Sequence, residues 1–279
     1  MTGARRAYRI PVLNAFRPVH RAAPRLLTLP NVLFAAFLVW TAVGFVVMPL
    51  GVGEPEIRAW LGVRAVQDAA LALLRVSDAV WIMLAAACVY FHAATAEGLN
   101  TARLWAVIIL VSSTIFEWIG TRTGFPFGPY RYTDNFGWRL GGVVPLAIPL
   151  AWLVVLLCSR YLVLALRPAA TRLEIALWVA VLAVLTDLNL EHVAWRVRAY
   201  WVWYPGWQGT MPTWPPVQNY VSWFVLSFGL ACVLPPNYAL RSHRPSSWRP
   251  ITVLALMNAL LAFVHLVRWL QHLRHQHTL

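Results

Sequence analysis

Residues Asn31 to Leu50 read NVLFAAFLVWTAVGFVVMPL, twenty positions without one ionisable side chain. A bilayer's hydrocarbon core is about 30 Å thick and is crossed by roughly 20 helical residues, so this run is a membrane span by length and composition. Outward from it, runs of the same kind follow near 78–97, 102–120, 143–166, 173–195, 218–236 and 251–270. They predict an all-α polytopic membrane bundle of about seven transmembrane helices. The expected organisation is a basic N-terminal arm (1–30), one transmembrane domain (31–270) and a polar tail (271–279). Between the first two runs, residues 51–76 hold Gly51, Gly53, Pro55 and mixed charges before an amphipathic stretch, which predicts a segment lying along the interface. Residues 237–250 read as a linker, and no internal repeat is visible. The first run follows a long basic arm and lacks a small-residue cleavage pattern, so a retained span is expected rather than a secretory signal.

The composition agrees. Of the 279 residues 60% are apolar and only 12% charged, where soluble domains carry about 25% charged residues. The net charge is +13, and all 23 basic residues are arginine. Without lysine there is no Schiff-base nitrogen for retinal, which excludes a retinal pump or sensor. The arginines sit at run ends and in the N-terminal arm, where lipid headgroups rather than nucleic acid meet them. Thirteen fall on the N-terminal side of the alternating runs and ten on the other, which predicts a cytoplasmic N-terminus. Cys88, Cys158 and Cys232 lie singly in apolar runs without metal-ligand spacing and read as packing residues.

Ten acidic residues are present, and three of them, Glu117, Asp187 and Glu191, fall inside apolar helical runs. An ionised carboxylate near a helix centre costs at least about 2.5 kcal/mol, so each is paired, held neutral or functional. The third and fifth runs cross in the same direction and end just past these residues, which puts all three carboxyls toward one membrane face. Asp187 and Glu191, four apart, share a side of their helix. The loops on that face are also distinctive. One is FPFGPYRYTD, Phe125 to Asp134, and the other runs from Trp201 to Gln218. Tyr and Trp form belts at both interfaces of ordinary membrane proteins. Here Tyr130, Tyr132, Trp138, Trp195, Tyr200, Trp201, Trp203, Tyr204, Trp207, Trp214, Tyr220 and Trp223 crowd the carboxyl side.

His92, His192 and His265 lie in or beside spans and read as hydrogen-bonded packing residues rather than haem ligands. No DxxxD repeat of the kind that holds a diphosphate through magnesium occurs, and neither metal nor cofactor is expected. Two other functions fit the carboxyls. A proton-coupled transporter would use them as a relay, which should reach both faces. A non-catalytic binding or scaffold protein would hold its ligand unchanged.

Four blocks carry a family resemblance: EWIGTRTGFPFGPYRYTD (Glu117 to Asp134), GGVVPLAIPLAW (Gly141 to Trp152), TDLNLEHVAW (Thr186 to Trp195) and WPPVQNYVSWF (Trp214 to Phe224). In order and spacing the chain resembles the membrane-integral carotenoid 1,2-hydratases of the CruF type, within a wider group of carotenoid biosynthesis proteins. The likeness covers roughly residues 95–236. The first block is the most specific, because its glycine, proline and tyrosine do not follow from membrane insertion. The chain departs from the family where His192 follows Glu191 in place of proline, and in a longer segment from Trp201 to Trp214.

The resemblance implies addition of water across the terminal 1,2 (or 1′,2′) double bond of an acyclic carotenoid end, as in gamma-carotene, lycopene or a bisanhydrobacterioruberin-like pigment. Its partners would be the lipid-soluble pigment, water, membrane lipids and other enzymes acting on the same pigment. Asp187 is then expected as general acid, with Glu191 or Glu117 orienting water. Tyr130, Tyr132 and Asn219 would hydrogen-bond the carboxyls or the water, while Phe127, Trp152, Trp203 and Trp223 line the substrate.

Overall fold

The computed structural model describes residues 28–50, 54–204, 212–234 and 248–276. Expectations for the arm before residue 28, for most of the 237–250 linker and for Trp207 lie outside the described residues. Helices dominate: α1 (Leu29–Leu50), α2 (Glu54–Trp60), α3 (Arg64–Ala96), α4 (Leu99–Thr123), α5 (Ala147–Leu166), α6 (Arg172–Glu191), α7 (Val217–Val233) and α8 (Trp248–Gln276). Six of these are long and apolar enough to cross a membrane, with α6 counted through its extension to Val197, and α7 is a shorter apolar helix of 17 residues. The chain is therefore an all-α polytopic membrane protein.

Two boundaries differ from the sequence expectation. The amphipathic stretch before residue 78 is divided between the short helix α2 and, from Arg64 onward, the first part of α3, which is 33 residues long. At 1.5 Å per residue that helix is about 50 Å long, well beyond a 30 Å core. Its length leaves room for the first turns, which carry Arg64, Asp68 and Arg75, to extend past the core, where charge is tolerated. The polar tail, in turn, continues α8 through Gln276 rather than leaving the helix at residue 270.

Helix α5 is the hub. Of its apolar window 78% is buried, against 22–39% for the other five spans, and it packs against α3, α4, α6, α7 and α8. A helix apolar all round is the kind that neighbours can enclose. The single arginine within it, Arg160, lies with its guanidinium 5.0 Å from the ring centre of Trp105 on α4. Helices α1 and α3 run antiparallel and are pinned by Trp81 Nε1 donating to Thr41 Oγ1 at 2.8 Å and Trp40 Nε1 donating to the Ser77 carbonyl at 3.0 Å. Thr171 caps α6, with Glu174 closing the reciprocal capping box.

The loops on the face where α4 and α6 end are ordered by short strands that the sequence reading left as loop. Strand β1 (Tyr130–Tyr132) pairs antiparallel with β4 (Trp201–Trp203), while β2 (Arg139–Leu140) pairs with β3 (Val144–Pro145). The first pairing joins segments about seventy residues apart and is prolonged by Thr133 N–H to the Tyr200 carbonyl and Tyr204 N–H to the Pro129 carbonyl, both 2.9 Å. Between α6 and β4 the chain makes a π-helical turn, His192–Val197.

Candidate functional site

Helix α4 delivers Glu117 a turn and a half before its end, and α6 delivers Asp187 and Glu191 at its last turns. All three are buried, at 5%, 2% and 3% exposure. In the short strands side chains alternate, so Tyr130, Tyr132, Trp201 and Trp203 all face inward while Arg131 and Val202 face away. The strand pair thereby forms an aromatic lid over the carboxyls.

Each lid residue spends its polar atom on a carboxyl below. Tyr130 and Tyr132 hydroxyls both donate to Glu117 Oε2 at 2.6 Å, and Trp152 Nε1 of α5 donates to Glu117 Oε1 at 3.1 Å. Trp201 Nε1 and Trp203 Nε1 both donate to Glu191 Oε2 at 3.3 Å. From α7, Asn219 Nδ2 donates to Asp187 Oδ2 at 2.7 Å and to Glu191 Oε1 at 3.1 Å, its two hydrogens serving one carboxyl each. Among the described residues no arginine or histidine forms an ion pair with any of the three. The donors are all neutral. Burial and the neighbouring Glu117 carboxylate hold the phenols of Tyr130 and Tyr132 well above the usual tyrosine range, so both remain donors in any ordinary assay buffer.

These groups enclose a cavity of about 40 Å³. The ten residues singled out by sequence (Glu117, Asp187, Glu191, Phe127, Tyr130, Tyr132, Trp152, Trp203, Asn219 and Trp223) all line it. Trp152 and Trp223 stack in parallel across it, with ring centres 3.8 Å apart and planes 2° apart, and Tyr130 lies 5.3 Å from Trp203. Four further lining residues, Ile148, Ala151, Leu190 and Trp201, were not among the candidates. The signal for Trp201 was present in the sequence: in Trp-Val-Trp the first and third residues of a strand share a face.

Small residues permit the close packing. A Cβ on Gly120 would stand 2.8 Å from Phe127 Cδ2 and 3.0 Å from the Tyr130 hydroxyl, so only glycine lets α4 approach the lid. Gly124, at φ 75°, ends α4 in the left-handed conformation and turns the chain into the lid segment. A second polar cluster fixes the lid from outside: Arg198 Nε donates to Asp78 Oδ2 at 2.7 Å, and the Tyr200 hydroxyl bonds to the same oxygen. Phe136 stacks on Tyr200 at 3.9 Å. Asp78 thus ties α3 to the segment after α6. His192 and His265 sit side by side, ring centres 4.4 Å apart, with His265 Nε2 2.9 Å from the Asn189 carbonyl oxygen. Among the described residues no group of three or more His, Cys, Asp or Glu side chains is arranged to hold a metal ion.

Comparison with known proteins points in one direction. A family model described as carotenoid biosynthesis protein matches residues 77–275, which takes in every element of the site. A bisanhydrobacterioruberin hydratase from Haloarcula japonica is 32% identical over 137 residues, covering 46% of this chain and 44% of that protein. The matched region is thus less than half the length of that relative. No solved structure matches.

Proposed function

Since this chain belongs to the carotenoid biosynthesis protein family, we propose that it is a carotenoid hydratase, adding water to the terminal double bond of an acyclic carotenoid end. The observation that carries the reading is the buried carboxyl trio held by neutral donors alone. Three carboxyls sharing a small cavity with no cation are a place where a proton is kept, because three anions there would repel one another with no countercharge to offset it.

Hydration of a trisubstituted alkene needs that proton. The π electrons take it at the less substituted carbon, leaving a tertiary carbocation. Water adds to the cation, and loss of a proton from the oxonium gives the tertiary alcohol. One water is consumed, and no redox partner is required. Asp187 is the proposed acid. Its Oδ2 accepts from Asn219 while Oδ1 has no hydrogen-bond partner among the described residues, which leaves that oxygen open to the alkene. Glu117 and Glu191 each accept three hydrogen bonds of the roughly four a carboxylate can take, which leaves either able to orient water and take its proton. Rings of Trp152, Trp203 and Trp223 line the space where the cation forms, and a ring face turned toward it is worth up to about 2 kcal/mol with water excluded.

Expression in a host that makes lycopene tests this directly. The pigment should gain the mass of one water, or of two if both ends react, and Asp187→Asn should abolish the gain while leaving expression and pigment binding intact. Bound pigment of unchanged mass would identify a carotenoid-binding protein instead. Undiminished turnover by Asp187→Asn would remove Asp187 as the acid.

A further inference from the structure

The carboxyl cavity, at about 40 Å³, is far smaller than the spaces beside it. Two larger spaces adjoin it, each through one shared residue. A polar vestibule of about 580 Å³, lined by Thr121, Arg131, Thr133, Asp134 and Arg139, meets the cavity at Tyr132. A cleft of about 350 Å³ between α6, α7 and α8 meets it at Glu191.

We infer that the cleft formed by Leu188, His192, Trp195, Trp214, Tyr220 and His265 receives the apolar polyene chain of the substrate, whose end reaches the carboxyls past Glu191. Its walls present the flat rings that stack on a conjugated chain. Two of its polar groups are tied back into the protein: the Arg196 guanidinium lies 3.7 Å from the ring centre of Trp195 and donates to the Thr213 carbonyl at 2.9 Å, and His265 is bonded to the Asn189 carbonyl. Leu188 at 48% exposure and Trp214 at 78% mark its open side. The vestibule beyond Tyr132, rich in charge, is the water side. Alkene and water then approach the trio from different directions, which suits a substrate that dissolves in lipid and a co-substrate that does not. A larger apolar space of about 570 Å³ between α1, α3 and α8 is a rival by size alone, but it shares no residue with the carboxyl cavity.

This assignment rests on the hydratase reading for the identity of the chain it receives, so the test reads binding and turnover separately. The photoreactive residue p-benzoylphenylalanine is placed at Leu188 in the cleft or at Leu73 in the rival space, both half exposed. Each full-length variant is irradiated in cells making an acyclic carotenoid, and the protein-bound pigment is read by its visible absorption. At least tenfold more pigment is expected on the Leu188 variant. Equal or greater labelling at Leu73, or none at Leu188, overturns the cleft. Pigment mass from cells with the unaltered chain reports hydration independently. Labelling at Leu188 without added water keeps the cleft and removes the hydratase reading, whereas added water without labelling at Leu188 does the reverse.

Discussion

Asn219 is the residue on which the carboxyl pair depends. One amide nitrogen supplies a hydrogen to Asp187 and another to Glu191, so Asn219→Asp removes both donors and adds a fourth carboxyl to a closed space. Turnover should drop at least tenfold and the thermal midpoint in detergent should fall, whereas Asn219→Gln, which keeps the amide but lengthens the arm, should retain more of both. On Glu117 the two phenols compete for one oxygen. Each hydrogen bond to a charged acceptor contributes about 1.5–3 kcal/mol. Tyr130→Phe and Tyr132→Phe should therefore each be tolerated for folding, and the double substitution should cost more than their sum, because Glu117 is then held by Trp152 alone. A double-mutant cycle on the melting midpoint measures that coupling.

Among the elements, the lid decides most. It is a strand pair too short to stand alone, and three things hold it: its bonds to the carboxyls, the Asp78–Arg198–Tyr200 cluster, and the close approach of α4 at Gly120. Gly120→Ala should push Phe127 and Tyr130 off their positions and reduce turnover sharply. Gly229→Ala on α7, where an added methyl meets nothing within 4 Å, should leave turnover unchanged and serves as the control. Breaking the Asp78–Arg198 pair, whose side chains are 15% and 25% exposed, strands a poorly solvated charge. Asp78→Ala should thus lower the melting midpoint clearly more than Glu54→Ala, which breaks a half-exposed pair within α2 worth at most about 0.5 kcal/mol.

Seen as a whole, the molecule has two unlike ends. The trio, the lid, the vestibule and the polyene cleft all belong to the end where α4 and α6 finish, and α1 starts at the other. The cytoplasmic N-terminus expected from the arginine count would turn the site end outward. A cysteine introduced at Asp134, whose side chain is fully exposed, should then react with a membrane-impermeant maleimide added to intact cells. The native Cys88 and Cys158 are buried and should stay silent. Labelling only after the cells are opened would reverse the orientation.

Much of this was legible in the chain before any coordinates. The apolar runs dictate helices because a backbone in lipid must satisfy its own hydrogen bonds. The parity of crossings alone brings Glu117 to the same end as Asp187 and Glu191, and spacing by four sets the latter two on one helix side. What sequence could not supply was the lid. Pairing of Tyr130–Tyr132 with Trp201–Trp203 joins loops distant in the chain, and nothing local records which strand meets which. Register then chose the faces: a slip by one residue would have turned one strand's two aromatics outward and taken their donors from the carboxyl below. The cavity's volume and its two approaches were equally beyond reach, because they are differences between packed surfaces rather than properties of any segment. Membrane physics acts on composition and period, which a sequence carries openly; the shape of a site is a sum over contacts between distant elements, which only the folded chain evaluates.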